Sequence, residues 1–185
     1  IKRIKKTHSI NKIIIATSVN SIDDKIVNYL KKEKDILIYR GDELNVLDRF
    51  YRAALANSLS FILRVTADNP FFDWLTADEL ITKIKNKKYD YMANNIKPSF
   101  PYGIDLEVMT IEALTRAYKN AKIQHDFEHV TPYIRNNPKK FTIGNIQNNN
   151  NLSKIRLTVD TDEDFIRASS FFKKYGIDVT FRDIA

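Results

Sequence analysis

Two aspartates in this chain each close an apolar run, and they are its best candidates for chemistry. Asp68 ends "FILRVTAD" and Asp160 ends "KIRLTVD", and both endings share the pattern Arg-x-Thr-x-Asp. In parallel sheets, ligands gather at the carboxyl ends of the strands. Two carboxylates that meet there could share a divalent cation such as Mg²⁺, which takes oxygen ligands and keeps water and phosphate as the rest.

Structural explanations compete with this metal site. Asp68 precedes Asn69-Pro70 and could form an Asx-turn instead. Thr161 is the predicted N-cap of the last helix. Asp160 lies before that cap, so the helix dipole, which favours acids in the first turn, is a weaker explanation for its presence. Acids inside the first turn are favoured by the dipole and are interpreted as structural: Asp162, Glu163 and Asp164.

The first half of the chain alternates strands with helices, which indicates how the acids are positioned. Ser21 is the predicted N-cap of the first helix, with Ile22, Ile26 and Tyr29/Leu30 on one face. Thr76 and Glu79 have capping-box spacing. Strands that are apolar on both faces favour a parallel sheet covered by helices. The predicted strands are 12–17, 36–39 and 61–67, and the predicted helices are 21–34, 45–58 and 74–86.

The second half is more mixed and predicts an α/β fold with a mostly parallel mixed sheet and helices on both faces. A length of 185 residues and 43% apolar content suit one well-packed domain over residues 1–185. The predicted strands are 89–95, 104–110, 141–147 and 154–160, and the predicted helices are 111–121, 130–136 and 162–175.

Composition excludes several classes of function. No apolar run approaches the ~18 residues that span a bilayer, so no membrane partner is expected. Cysteine is absent, which excludes disulfides and thiolate metal sites and fits a reducing, cytoplasmic location. The net charge of +7 comes from scattered lysine pairs, which favours solvated helix ends over a nucleic-acid groove. The positive field would still steer a phosphate-rich substrate.

Six segments, in this order, resemble the nucleotide-sugar cytidylyltransferases, in particular the spore-coat polysaccharide and acylneuraminate-type branch. The segments are "IIIATSVNSIDDKI", "YRGDELNVLDRFYRAA", "LRVTADNPFFD", "YGIDLEVMTIEAL", "EHVTPYI" and "RLTVDTDEDF". The resemblance implies a three-layer, nucleotide-diphospho-sugar transferase-like (Rossmann-like) fold. It also implies transfer of CMP from CTP to a hydroxyl of an acidic or amino sugar, with release of pyrophosphate, for surface polysaccharide or glycoconjugate biosynthesis.

The resemblance also implies roles for individual residues. Asp68 and Asp160 would hold Mg²⁺ and act as catalytic residues, and either His129 or a metal-bound hydroxide would accept the proton. The nucleotide would be contacted by Ala16, Thr17, Arg40, Asn45, Asp48 and Arg64. The acceptor would be faced by Tyr102, Gly103, Asp105, Glu107 and Glu128.

Simpler explanations exist for three of these residues. Asp48 has the spacing to pair with Arg52 on a helix surface. His129 could be a helix-start histidine, and Gly103 could supply the positive φ of a turn. A metal-dependent glycosyltransferase and an inactive nucleotide-binding module remain as alternative functions. A homodimer is expected, with four aromatics that could serve its surface or could belong to the core: Phe100, Tyr102, Phe127 and Tyr133.

The chain departs from the family pattern at several points. Ala67 and Asn69 stand where relatives usually carry Gly and Cys, Asp162 replaces a proline, and Phe127 replaces an arginine. The family's first strand and phosphate loop have no counterpart. Further residues upstream, or a strand from another chain, are therefore expected. The segment as given is expected to be inactive, with open edges on strands 12–17 and 61–67.

Overall fold

The computed structural model of the chain describes residues 1–184. Its strands are β1 (Ile13–Ser18), β2 (Ile36–Gly41), β3 (Phe61–Arg64), β4 (Tyr91–Ala93), β5 (Glu107–Thr110) and β6 (Ile143–Asn145). Its α-helices are α1 (Asp24–Leu30), α2 (Val46–Ala56), α3 (Trp74–Lys87), α4 (Ile111–Asn120), α5 (Gln124–His129), α6 (Pro132–Arg135), α7 (Asp162–Tyr175) and α8 (Phe181–Ile184). No helix among the described residues has the length and apolar character needed to cross a bilayer.

The strands form two sheets. β1 and β2 pair in parallel, from Ile13 opposite Ile36 to Ser18 opposite Gly41. The other four strands form a sheet in the order β3-β5-β4-β6. Within residues 1–184, β1 pairs only with β2 and β3 only with β5. The expected open edges of these two strands are therefore confirmed.

The chain divides into two compact units. Unit 1 comprises Ile1–Ser9, Leu63–Val108 and Gly144–Ala185, and unit 2 comprises Ile10–Ile62 and Met109–Ile143. The expectation of one domain over residues 1–185 stays a prediction.

Unit 2 is built around helix α2. This helix packs on both strands of the parallel pair and on α4 and α5. Leu47 is fully buried, and Tyr51 stacks on Tyr118 of α4 with ring centroids 4.1 Å apart. Asn45 is the N-cap of α2, and its side-chain oxygen accepts a hydrogen bond from the amide of Asp48 at 2.9 Å. The predicted helix 45–58 therefore corresponds to α2.

A buried arginine near the start of the chain links separate segments of unit 1. Arg3 is 4% exposed and donates to the carbonyls of Phe72 at 2.9 Å, Ile177 at 2.7 Å and Val179 at 2.6 Å. Its guanidinium carbon lies 4.9 Å from the centroid of the Trp74 ring. Burial lowers the pKa of Arg3. One side chain thus joins the first and last segments of unit 1 to the turn before α3.

Several predicted details are wrong. Ser21 lies inside a 3₁₀ turn (Ser21–Asp23) that precedes α1 and is not its N-cap. Ile22, Ile26 and Tyr29 are 74%, 48% and 77% exposed, so of the predicted apolar face only Leu30, which is 4% exposed, is buried. For Phe100, which could have served a dimer surface or the core, an exposure of 8% decides for the core.

Other differences concern element ends. Asp73, not Thr76, is the N-cap of α3, because its Oδ1 accepts from both the amide of Thr76 at 2.8 Å and its hydroxyl at 2.6 Å. β3 ends at Arg64, and residues 154–160 contribute only a parallel bridge between Tyr102 and Arg156. Helix α5 was not predicted, since six residues are too few for a clear helical period.

Candidate active site

The backbone of unit 1 brings the segments that carry Asp68 and Asp160 together. The carbonyl of Asp68 accepts hydrogen bonds from the amide of Val159 at 2.9 Å and from the hydroxyl of Thr158 at 3.2 Å. Asp160 follows Val159 directly, and the side chains of both aspartates are exposed to solvent. Two carboxylates 92 positions apart in sequence therefore occupy adjoining segments, although β3 ends four residues before Asp68 and Asp160 follows only an isolated bridge.

Asp160 is held from two sides by its neighbours. Its carboxylate pairs with Arg156, whose guanidinium also lies 3.3 Å from the carboxylate of Asp164. Asp164 is buried and accepts from the main-chain amides of Asp160 at 3.1 Å and Thr161 at 3.2 Å. The amide of Asp160 and the ion pair with Arg167 hold the pKa of Asp164 far below its ordinary value. Asp164 thus remains charged and fixes the main chain at Asp160.

The predicted cap of the last helix is confirmed at the same place. The hydroxyl of Thr161 accepts from the amide of Asp164 at 3.2 Å, and the carboxylate of Asp164 accepts from the amide of Thr161. This reciprocal pair is a capping box. The structural interpretation of Asp164 is therefore correct.

Glu107 is locked into a buried network. It is 3% exposed, and its two carboxylate oxygens accept from Arg64 at 2.6 Å and from the hydroxyl of Tyr91 at 2.5 Å. Among the described residues, Arg64 Nε has no hydrogen-bond partner although it is buried. Glu107 thus orients Arg64, while its own predicted contact with the acceptor stays a prediction.

Tyr102 and Gly103 run beside the segment that leads to Asp160. The amide of Tyr102 donates to the carbonyl of Ile155, and the amide of Leu157 donates to the carbonyl of Tyr102, both at 2.8 Å. Gly103 has a φ of +99°, and a Cβ there would lie 2.4 Å from the amide nitrogen of Thr158. Only glycine fits this approach, so the turn interpretation of Gly103 is confirmed.

Asp105 lies in a pocket of unit 1 with a volume of about 230 Å³. Burial raises the pKa of Asp105, and the negative charges of Glu107 and Asp68 add to the rise, while hydrogen bonds from Gly103 and Asn95 oppose it. Sequence reasoning missed most of this lining, because a pocket depends on which loops meet and not on a local pattern. The lining residues are Asn94, Asn95, Pro98, Phe100, Tyr102, Asp105 and Ser153.

In unit 2, the candidates for nucleotide contact have structural partners. Arg40 donates to the carbonyls of Ser18 and Asn20, each at 2.8 Å, and pairs with Asp24 at 2.6 Å. The hydroxyl of Thr17 donates to Asp23 at 2.6 Å. Arg40 and Thr17 therefore fix the loop after β1. Ala16 lies opposite Tyr39 in the same strand pair.

Two further candidates in unit 2 lie on or next to α2. Asp48 accepts from Arg52 Nε at 2.7 Å and 2.9 Å, which confirms the simpler explanation offered for it. Asn45 is the N-cap described above. Both side chains therefore already have partners on helix α2 itself.

Glu128 and His129 stand at the end of helix α5. His129 is the last residue of this helix, so its interpretation as a helix-start histidine is wrong. Both side chains are exposed. The ring of His129 lies 4.7 Å from that of His125, measured between centroids.

The acids of unit 1 suit a hard cation better than a transition metal. Within residues 1–184, no three His, Cys, Asp or Glu side chains form a metal-binding cluster. Mg²⁺ is usually held by one or two carboxylates, with water and substrate phosphates completing its shell. Two exposed carboxylates on adjoining segments match that donor set.

The chain is similar to several known proteins. Residues 1–182 match the profile of the cytidylyltransferase family. The spore coat polysaccharide biosynthesis protein SpsF of Bacillus subtilis is 32% identical over 169 residues, which cover 89% of this chain and 68% of that protein. An uncharacterised protein of Methanocaldococcus jannaschii is 36% identical over 167 residues, which cover 89% of this chain and 67% of that protein.

Solved structures show the same fold. A cytidylyltransferase from Leptospira borgpetersenii superposes with a TM-score of 0.94 at 25% identity, covering 99% of this chain and 78% of that one. The predicted nucleotide-diphospho-sugar transferase-like α/β fold is thus confirmed. Since the profile spans almost the whole chain, it gives no support to the expectation that the segment is inactive. The chain belongs to the cytidylyltransferase family.

Proposed function

We propose that this enzyme transfers CMP from CTP to a hydroxyl of an acidic or amino sugar, for surface polysaccharide or glycoconjugate biosynthesis. Family membership supports cytidylyl transfer, and the name of the Bacillus subtilis relative supports a polysaccharide pathway. The single observation that carries the proposal is the bonding of the Asp68 carbonyl to Val159 and Thr158, next to Asp160.

The reaction is an in-line displacement at the α-phosphorus of CTP. The sugar oxygen forms a bond to this phosphorus, the bond to the pyrophosphate oxygen breaks, and the hydroxyl proton passes to a base. Little covalent work falls to the protein, so catalysis is mainly placement and neutralisation of charge. His129 is proposed as the proton acceptor, since its imidazole is exposed at the end of α5.

Asp68 and Asp160 would hold Mg²⁺. When bound, this ion supplies positive charge to the phosphates of the nucleotide. Arg156 and Asp164 would act as positioning residues, because one pairs with the carboxylate of Asp160 and the other accepts from its main-chain amide. Arg64, which Glu107 holds in place, would contact a phosphate of the nucleotide.

The remaining roles follow from the family resemblance. Tyr102, Asp105, Glu107 and Glu128 are proposed to face the acceptor, and the residues of the loop after β1 and of α2 are proposed to contact the nucleotide. A homodimer is also proposed, with Tyr102 as a surface aromatic that is 52% exposed. A cytoplasmic location stays a prediction.

The metal role can be tested with an isosteric substitution. We expect Asp68→Asn and Asp160→Asn each to lower pyrophosphate release by about 100-fold or more at saturating CTP, because the ion loses a charged ligand. Release should be measured over a Mg²⁺ titration with a panel of sugars. Asp162→Asn, an exposed acid in the first turn of α7, is the matched control and should keep wild-type release. Unchanged release by Asp68→Asn would exclude the proposed metal site.

A further inference from the structure

Helix α5 carries a sequence pattern that the proposed function does not use as a unit. Residues 125–129 are His-Asp-Phe-Glu-His. Two histidines four positions apart on a helix lie on the same face. This spacing, with a glutamate directly before the second histidine, is that of the zinc-binding H-x-x-E-H motif. A five-residue pattern needs structural context, which here is the position of the two rings.

The two imidazoles lie at the spacing that one shared metal ion requires. The centroids of the His125 and His129 rings are 4.7 Å apart. Metal–nitrogen bonds of about 2.0–2.1 Å, with an angle of about 90–110° at the ion, place the centroids of two coordinating imidazoles about 4.5–5.2 Å apart. Both side chains are exposed, so an ion in solvent can reach them. The pair can therefore chelate one ion without rearrangement of the helix backbone.

The backbone that carries this pair is fixed by an unusual turn. Val130, which ends α5, has a φ of +71° and a ψ of −52°, and its side chain is fully buried. The amide of Thr131 donates to the carbonyl of His129 at 2.8 Å, which closes a γ-turn of the rare, strained type. Such a conformation persists only where the surrounding packing enforces it, above all for a β-branched residue. The main chain at His129 is therefore ordered before any ion binds.

The local charge also favours a cation. Helix α5 contains Asp126 and Glu128 and no lysine or arginine, although the whole chain has a net charge of +7. Asp126 is buried, whereas Glu128 is exposed and lies three positions after His125, on the adjacent part of the helix surface. Imidazole nitrogens suit Zn²⁺, Cu²⁺ and Ni²⁺, while Mg²⁺ takes oxygen ligands. The donor set thus selects a different class of ion from the carboxylates of unit 1.

We propose that His125 and His129 form a site within unit 2 for a borderline divalent metal ion, Zn²⁺ above all. Glu128 would accept a hydrogen bond from a water molecule on the ion. Among the described residues, no third His, Cys, Asp or Glu side chain completes a metal-binding cluster. Water or a ligand from solution would therefore fill the remaining coordination positions.

Occupancy of this site has a consequence for catalysis, which rests on the proposed function of His129 as the proton acceptor. An imidazole nitrogen that binds a metal ion uses the lone pair that would take the proton. Bound Zn²⁺ would therefore inhibit the transfer of CMP, whereas Mg²⁺ would leave the histidine pair free. The site would act as a metal-dependent brake on the enzyme.

Direct metal binding tests the site without relying on turnover. The untagged protein would be titrated with Zn²⁺ by calorimetry in an excess of Mg²⁺, which keeps hard-cation sites filled. NMR spectra of the ¹⁵N-labelled histidine rings would follow the same titration. We expect one equivalent of Zn²⁺ to shift the ring nitrogens of His125 and His129 but not those of His8, the remaining histidine of the chain. No binding, or equal shifts at all three histidines, overturns the proposal.

Two variants assign the binding to the pair. His125→Ala should weaken Zn²⁺ binding by at least about 10-fold, since even the outer-shell partners of metal ligands contribute that much. His8→Ala is the matched control, because His8 is an exposed histidine whose ring nitrogen lies 3.3 Å from the carboxylate of Asp78. It should bind Zn²⁺ as wild type does. Equal affinities of wild type and His125→Ala would overturn the assignment.

Inhibition tests the consequence for catalysis. His125 has no role in the proposed reaction, so His125→Ala should match wild-type pyrophosphate release in Mg²⁺ alone. Zn²⁺ that fills the site should lower release by wild type at least about 10-fold, the loss of a general base, and a zinc-selective chelator should restore it. His125→Ala should need at least about 10-fold more Zn²⁺ for the same inhibition. Equal inhibition of both proteins would overturn the brake.

The two proposals fail in different ways. Zn²⁺ binding that depends on His125, without pyrophosphate release from CTP with any sugar, would keep the metal site and overturn the proposed function. Pyrophosphate release by a protein that binds no Zn²⁺ at the histidine pair would keep the proposed function and overturn the metal site.

Discussion

At the scale of single residues, Gly103 has the most restricted position in the site. Its φ of +99° disfavours any side chain, and the backbone of Leu157 and Thr158 fills the space where a Cβ would lie. The contact is with main chain, which cannot rotate away as a flexible side chain can. This residue therefore sets how closely the Tyr102 loop approaches the segment before Asp160.

We expect Gly103→Ala to lower the free energy of unfolding by more than about 2 kcal/mol, through backbone strain together with overpacking. Gly176→Ala is the matched control, since Gly176 has a φ of +81° but nothing lies within 4 Å of the point that its Cβ would occupy. It should cost only about 1 kcal/mol. Urea unfolding measures both, and equal losses would contradict the role of the close contact.

The sequence predicted some of these residues and missed others for a physical reason. Asp68 and Asp160 were recognisable because each acid ends an apolar run. Arg64 and Arg156 share one sequence pattern, yet Arg64 pairs with Glu107 and Arg156 with the acid four residues after it. Which partner an arginine meets depends on the neighbouring segment. A local pattern does not contain that information.

At the scale of elements, the loop between β1 and α1 is stabilised by one carboxylate. Asp23 accepts from the Thr17 hydroxyl at 2.6 Å and from the Ser18 amide and hydroxyl at 2.9 Å and 2.7 Å. These bonds, with that of Thr17 the largest contribution, lower the pKa of Asp23 to about 2. Arg40 closes the same loop from β2.

The Asp23 carboxylate in this loop should make the free energy of unfolding depend on pH. Because the folded pKa of Asp23 lies below its ordinary value of 3.8, its contribution is fully present above that pH. The contribution is lost as the pH falls toward about 2. We therefore expect the urea midpoints of wild type and Asp23→Asn to differ most near neutral pH and to converge as the pH falls below the ordinary pKa.

Thr17→Val supplies a second measurement of the same effect. Removing the largest hydrogen bond should raise the pKa of Asp23 toward its ordinary value, as followed by NMR titration of the carboxyl carbon. A difference between wild type and Asp23→Asn that stayed constant with pH would show that this carboxylate does not titrate as described.

The elements themselves were largely predictable where the pattern was long. Strand 12–17 and helices 111–121 and 162–175 correspond to β1, α4 and α7, and Thr161 caps the last of them. Short elements were less predictable. α5 has six residues, and the start of α3 is decided by Asp73, whose carboxylate lies three residues before the threonine that the pattern favoured.

At the scale of the whole molecule, charge is the relevant property. The chain carries 30 Lys and Arg against 23 Asp and Glu, and its pI is about 9.4. CTP remains anionic even with Mg²⁺ bound, so a cationic protein attracts it over a distance that salt shortens to about 10 Å at 0.1 M.

We expect kcat/KM for CTP to fall several-fold between about 50 and 500 mM NaCl, with a smaller change in kcat. Salt screens the long-range attraction that speeds CTP binding, but it has less effect on the chemical step of CTP that is already bound. Steady-state pyrophosphate release measures both constants. The KM of the sugar acceptor, which carries less charge than CTP, serves as the internal control and should change less. A kcat/KM for CTP that is independent of salt would mean that the net charge does not steer this substrate.

The bond from the Val159 amide to the Asp68 carbonyl consists of main-chain atoms, so it is indifferent to the side chains at these positions. Changes such as those at Ala67 and Asn69 can accumulate during evolution while the two carboxylates stay on adjoining segments. Divergence of this kind preserves the proposed metal site and frees the surrounding surface to vary. It offers a route by which descendants of one ancestral enzyme could acquire different acceptors.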